Sequence, residues 1–229
     1  MNPHLYCILD LGYTPESRAE EVTASLLAGG ADLLQLRAKN HDLATIRRVA
    51  EKILPLCRAA GIPFILNDFP ALAGELGADG VHIGQDDGSL EAAQSAFARG
   101  ILNRGVGVSP AAFDHSSLPP PFIGRSTHSL DQARAALAEG FDYIGFGPVF
   151  PTPTKAGRPA IGLADIFTME REVGSAIPAF CIGGIDLETL PQVIAAGTRR
   201  VVVVSAILKA PDIQAAARYF RTALQDQSL

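Results

Sequence analysis

The sequence predicts an α/β chain folded as one (β/α)8 TIM barrel of parallel strands, a single domain over residues 1–229. Three observations carry that expectation. Short apolar runs alternate with helical patterns along the chain. Most of those runs are continuously apolar, as strands buried on both faces are. Several helical patterns close on a glycine phrase leading into the next strand: "AGGADLL", "LGADGVHI", "AEGFDYI" and "AAGTRRVVVV". Glycine takes the left-handed backbone that follows a helix C-terminus without strain. An open doubly wound sheet is the alternative. It would show a glycine-rich fingerprint after its first strand, and "ILDLGYTPE" is not one.

The strands are expected at 4–10, 32–37, 63–68, 79–84, 122–126, 142–147, 178–184 and 199–205. "PESRAEEVTASLLAGG" has proline and acids early and glycines late, matching helix start and stop preferences. In "HDLATIRRVAEKILPLCRAAG", Asp42 is the expected cap, and Pro55 should kink or break the helix. "LDQARAALAEG" and "DLETLPQVIAAG" are further amphipathic helices. Residues 100–121 interrupt the rhythm and end in three prolines, so they are expected to be a loop insertion. "VGVS" competes with "FIGRS" for strand five. "FIGRS" is preferred because a helical pattern, "THSLDQARAALAEG", follows it.

Composition bounds the function. With 48% hydrophobic residues the chain can bury one large core. A net charge of -5 provides no global field for nucleic acid or an acidic membrane surface. An anionic ligand must be held by local groups. No apolar run is long enough to span a bilayer, and no export signal opens the chain. The three cysteines show no zinc spacing; Cys7 and Cys181 lie in apolar runs and are expected as small core residues, and a reducing cytoplasm fits.

In such a barrel the reactive groups gather where the strands end. After strand two, "QLRAK" puts Gln35, Arg37 and Lys39 at alternating positions, aimed one way. Two cations and an amide aimed at a barrel mouth are costly unless an anion meets them. A solvated strand end is the other reading. Asn67 and Asp68 end strand three; Gln85, Asp86 and Asp87 follow strand four. Neighbouring strands lie about 4.8 Å apart, so these carboxylates can share a ligand. Beside the cations they suggest Mg²⁺ bridging to a phosphorylated substrate. Alternatively, Asp86 or Asp87 caps a helix starting near Ser89. Ser126 and His128 follow strand five, and Thr152, Thr154 and Lys155 follow strand six. "CIGGI" and "VVSAI" end strands seven and eight, the common phosphate site of the fold. A helix starting after Ser205 would add its N-terminal dipole; tight turns are the plainer reading. Two anion sites follow, suggesting a diphosphate and a monophosphate as substrates.

In this order, "QLRAK", "ND" at 67–68, "GADGVHIGQDD", "GRSTHS", "GPVFPTPTK", "IGGI" and "VVSAI" resemble the thiamine-phosphate synthases over nearly the whole chain. The resemblance implies a barrel that joins an aminopyrimidine-methyl diphosphate to a thiazole phosphate and releases pyrophosphate. It implies Gln35, Arg37, Lys39, Asn67, Ser126 and Lys155 at the pyrimidine diphosphate. It implies Asp68 and Asp87 on Mg²⁺, and Thr152, Thr154, Gly184, Val204 and Ser205 at the thiazole phosphate. Arg37, Lys39, Ser126 and Lys155 are the implied catalytic set. Phe69 departs from the pattern, where a polar residue is frequent.

Sister thiazole tautomerases share much of this pattern, with a histidine at the position of His128 as acid–base group. Asp87, Lys39 and "PTPTK" favour the synthase, because a tautomerase needs neither diphosphate nor metal. A non-catalytic thiazole or thiamine phosphate binder is a third reading, for which those ligands would be surplus. Small phosphorylated molecules are the expected partners. A homodimer is an expectation with no sequence signal of its own.

Overall fold

Eight parallel strands close into a barrel in chain order: β1 (Leu5–Asp10), β2 (Leu33–Arg37), β3 (Phe64–Asn67), β4 (Gly80–Ile83), β5 (Phe122–Thr127), β6 (Tyr143–Phe146), β7 (Ala179–Ile182) and β8 (Val201–Val203). The computed structural model describes residues 3–104, 120–152 and 159–225. The helices are α1 (Ala19–Ala28), α2 (Leu43–Ala60), α3 (Pro70–Leu76), α4 (Leu90–Arg104), α5 (Leu130–Glu139), α6 (Ile166–Met169), α7 (Leu190–Ala195), α8 (Ser205–Leu208) and α9 (Ile213–Gln225). Each expected strand is present, and "FIGRS" lies within β5, between β4 and β6.

Two apolar clusters divide the core. The larger fills the space between barrel wall and helices, with Ile46, Ile53, Ile123 and Phe220 among its members. The smaller fills the barrel interior with Tyr6, Ile8, Leu33, Ile65, Tyr143, Phe180 and Val202. A strand needs apolar residues at both parities to serve both clusters, which is why the runs do not alternate. Cys7 and Cys181 are free and buried, as expected, and so is Cys57.

The glycine phrases have a second ingredient. In three of them an aspartate ties the even strand that it opens, β2, β4 or β6, to the odd strand before it. Asp32 accepts hydrogen bonds from the amides of His4 (2.8 Å) and Leu5 (2.9 Å). Asp79 accepts from Phe64 N, and Asp142 from Ile123 N, each at 2.8 Å. These carboxylates satisfy backbone amides at the starts of β1, β3 and β5.

Asp42 caps α2, its Oδ1 accepting from Thr45 N at 2.7 Å. Pro55 does not break that helix, which runs as one element from Leu43 to Ala60. Pro55 and Glu51 both lie on its exposed face, where water can reach the carbonyl left without an N–H donor. The segment at 100–121 begins inside α4, which continues to Arg104; 105–119 lie outside the described residues. α3, α6 and α9 are elements the sequence reading did not single out. α3 is short and carries Gly74. A Cβ there would lie 3.0 Å from the backbone nitrogen of Ile101, and closer still to the carbonyl of Phe97. The glycine lets α3 and α4 approach backbone to backbone. Among the described residues no helix is long and apolar enough to cross a membrane.

Candidate active site

Strand register brings the predicted groups to one mouth. Asp10 pairs with Arg37 across β1 and β2, Asn67 with His82 across β3 and β4, and Ser126 with Gly145 across β5 and β6. Above the interior cluster opens a cavity of about 430 Å³. Gln35, Arg37, Lys39, Asn67, Asp68, Asp87, Ser126, Thr152, Gly184, Val204 and Ser205 all line it. Gln85, Asp86, His128 and Gly183, from the same strand ends, line it too. Thr154 and Lys155 lie outside the described residues.

The floor is a polar chain that crosses the barrel. Gln35 Nε2 donates to Tyr6 Oη (2.5 Å), which lies 3.1 Å from Tyr143 Oη. Tyr143 Oη meets His82 Nδ1 at 3.3 Å, and His82 Nε2 meets Ser126 Oγ at 3.0 Å. Burial pushes both phenols up, so they stay protonated. Tyr6, His82 and Tyr143 lie within their strands, not at the C-terminal ends, so strand-end position does not select them. Their signal was a hydrogen-bonding side chain at inward parity inside an apolar strand.

The acidic side corrects the cost argument made for "QLRAK". Each cation already has a carboxylate partner within the chain. Arg37 pairs with Asp10, which is 2% exposed, and Lys39 Nζ lies 3.7 Å from Asp68 Oδ2. Arg37 is thus compensated where it is buried, and Lys39 stays more than half exposed, so the cations do not by themselves demand a bound anion. Asp10 also ends β1, a strand-end position not among those expected to carry the site.

Asp68 sits at the centre of this network, at a left-handed φ of 68°. Burial pushes its carboxyl up, Lys39 pulls it down, and the Asp87 carboxylate beside it pushes it up again. Asp87 folds back so that its Oδ2 accepts from Gly84 N at 2.6 Å. Neither Asp86 nor Asp87 caps α4. That role belongs to Ser89, whose Oγ accepts from Ala92 N at 3.2 Å. Two adjacent carboxylates, Asp68 and Asp87, suit a divalent cation that takes its other ligands from phosphate and water. Among the described residues no group of three or more His, Cys, Asp or Glu side chains forms a cage for a metal.

Across the cavity, Gly183 (φ 102°) and Gly184 (φ 64°) turn the chain after β7. A Cβ on Gly183 would come within 2.5 Å of Pro148 Cβ, and one on Gly184 within 2.6 Å of Phe150 Cβ. The glycines thus let the β7 loop nest against the β6 loop, which Val149 N bonds at Ile182 O (2.8 Å) and Phe150 N at Gly183 O (3.0 Å). His128 lies at the same seam, with Nδ1 against the carbonyl of Gly147. α8 follows β8 as one turn beginning at Ser205.

The thiamine monophosphate synthase family model matches residues 5–117 and 110–207. The chain belongs to the thiamine monophosphate synthase family. A thiamine-phosphate synthase of Thermus thermophilus is 46% identical over 202 residues, 88% of this chain and 87% of that protein. One from Methanocella arvoryzae is 36% identical, over 100% of this chain and 98% of its own length. The structure of a thiamine phosphate pyrophosphorylase from Pyrococcus furiosus superposes with a TM-score of 0.79 at 28% identity, covering 99% of this chain and 97% of that one.

Proposed function

We propose that this chain is a transferase that joins 4-amino-2-methyl-5-hydroxymethylpyrimidine diphosphate to a thiazole phosphate, giving thiamine phosphate and pyrophosphate. The observation that carries the proposal is one cavity with two unlike walls. β2 to β4 supply Arg37, Lys39, Asp68 and Asp87; β7 and β8 supply the glycine turn, Val204 and Ser205. A polar floor lies between them. That arrangement suits a molecule with a diphosphate tail and a polar ring, and a second molecule with a monophosphate.

In the reaction, the bond from the pyrimidine methylene to the diphosphate oxygen breaks, and its electron pair leaves with pyrophosphate. The aminopyrimidine ring feeds density into the methylene as that bond opens, so the step is dissociative. The thiazole nitrogen then donates its lone pair to the methylene, and no strong general base is required. Arg37, Lys39, Ser126 and Lys155 stabilise the departing charge. Gln35 and Asn67 orient the pyrimidine diphosphate. Thr152, Thr154, Gly184, Val204 and Ser205 hold the thiazole phosphate so that its nitrogen faces the methylene.

Because Asp10 and Asp68 already offset Arg37 and Lys39, and Asp87 adds a further carboxylate, the described wall carries no surplus positive charge for a diphosphate. Asp68 and Asp87 are the residues that would hold Mg²⁺ there. When bound, the ion would supply positive charge to the diphosphate oxygens as they take up the electron pair. Mass-spectrometric product analysis with both substrates and MgCl₂ tests the proposal. Thiamine phosphate is the expected product, and its absence from a folded, substrate-saturated preparation refutes the assignment.

A further inference from the structure

Arg125 lies on β5 at the register position of Ile83, with Gly124 and Ser126 on either side. Ser126 points into the barrel, where its Oγ meets His82, and Gly124 backs onto the Tyr143 ring. Strand alternation therefore sends Arg125 outward, between wall and helices. There its guanidinium stacks 5.2 Å from the centroid of the buried Phe141 ring. The same guanidinium donates to two carbonyls of the turn after β4: Nη1 to Gly88 O at 2.6 Å and Nη2 to Gln85 O at 3.0 Å.

Those two carbonyls bracket Asp87. The turn gains a third tie to β5 where Gln85 Nε2 donates to Ser126 O at 2.5 Å. Within the turn, the Asp87 carboxylate is aimed by the amide of Gly84. A planar fork that is always charged and locked over an aromatic ring is well suited to hold two carbonyls at a fixed separation.

We propose that Arg125 is a positioning residue for Asp87: it clamps the Gln85–Gly88 turn from behind the barrel wall and so sets the divalent-cation affinity of the Asp68–Asp87 pair. The proposal rests on that pair being the cation site. Arg125 does not line the cavity and acts only through the turn.

The test compares the parent chain with Arg125→Gln, Arg125→Lys and Asp87→Asn. The probe is Mn²⁺ with inorganic pyrophosphate, read from the electron paramagnetic resonance of free Mn²⁺. Amide hydrogen exchange of residues 84–89 is measured alongside. Arg125→Gln should weaken Mn²⁺ binding by about tenfold, the usual effect of removing an outer-shell partner. It should also speed exchange in that turn while other segments keep parental rates. A residue that merely supported the fold would speed exchange everywhere. Arg125→Lys, which can reach one carbonyl, should fall between. Parental Mn²⁺ affinity and turn exchange in Arg125→Gln, with weakened binding in Asp87→Asn, overturns the proposal and leaves the acidic pair standing. Parental affinity in Asp87→Asn as well overturns both. Should Arg125→Gln not fold, parental affinity in Arg125→Lys overturns the proposal.

Discussion

Gly124→Ala is the sharpest test of the cavity floor. A Cβ at this position would lie 2.5 Å from Tyr143 Cε1, and nearer still to Cζ and Cε2. Carbon atoms sit comfortably at about 3.5–4.0 Å, so the ring must recede by roughly 1 Å or more. It has little room, with Tyr6, Phe180 and His82 at centroid distances of 5.8, 6.1 and 5.5 Å. Receding also carries its hydroxyl away from Tyr6 Oη and His82 Nδ1, now at 3.1 and 3.3 Å. Overpacking costs about 1–3 kcal/mol, and each buried hydrogen bond lost about 1 kcal/mol more. The expected loss is therefore about 2–5 kcal/mol, a fall in Tm on the order of 5–15 °C for a domain of this size. Thermal unfolding followed by circular dichroism measures it. Steady-state kinetics should show KM for the pyrimidine diphosphate rising by about tenfold, a loss of roughly 1.4 kcal/mol in binding. Adding Tyr143→Ala to Gly124→Ala should cost less than the two single losses summed, because the clash disappears with the ring. A parental Tm and parental kinetics in Gly124→Ala would refute the steric argument.

Asp68→Asn should raise the thermal stability of the metal-free protein at pH 7 while reducing activity. The folded-state pKa of Asp68 is raised, so ionising it opposes folding above that value. The stabilisation should vanish as pH falls below the unfolded carboxylate range near about 4. Melting curves from pH 3 to 8 check both signs, and a gain that grows toward low pH would contradict the burial argument. Asp87→Ala and Lys155→Ala should each lower turnover strongly at saturating substrates; near-normal rates in purified variants remove those residues from the mechanism. Gly100→Ala should destabilise by more than about 2 kcal/mol, because its Cβ would lie 2.9 Å from the backbone nitrogen of Glu75, and closer still to the carbonyl of Ala71. Urea unfolding measures it, and a shift under about 0.5 kcal/mol would show that α3 and α4 separate easily.

The barrel was legible because its strands serve two apolar clusters at once, which leaves an unbroken run in the sequence at each. The cavity mouth was legible because a barrel concentrates chemistry at strand ends, and Gln35, Arg37, Asn67 and Ser205 fell there by position alone. What escaped was pairing across the barrel. Nothing in "CILD" and "QLRAK" says that Asp10 meets Arg37; strand register says it. The Tyr6–Tyr143–His82 chain escaped for the same reason, since its members lie 137 and 61 residues apart in sequence. A cap by Asp86 or Asp87 stayed open as the alternative to a metal ligand because sequence distance to α4 is short, whereas Asp87 folds back onto the amide of Gly84. The proline in α2 misled because its local penalty falls on a face with water to absorb it.

Pyrophosphate release in the presence of both substrates tests the central claim most directly. With pyrimidine diphosphate, thiazole phosphate and MgCl₂ present, a coupled pyrophosphate assay should report steady release that stops on adding EDTA and resumes with excess Mg²⁺. No release from the folded chain with Mg²⁺ present would contradict the claim that this cavity joins the two substrates.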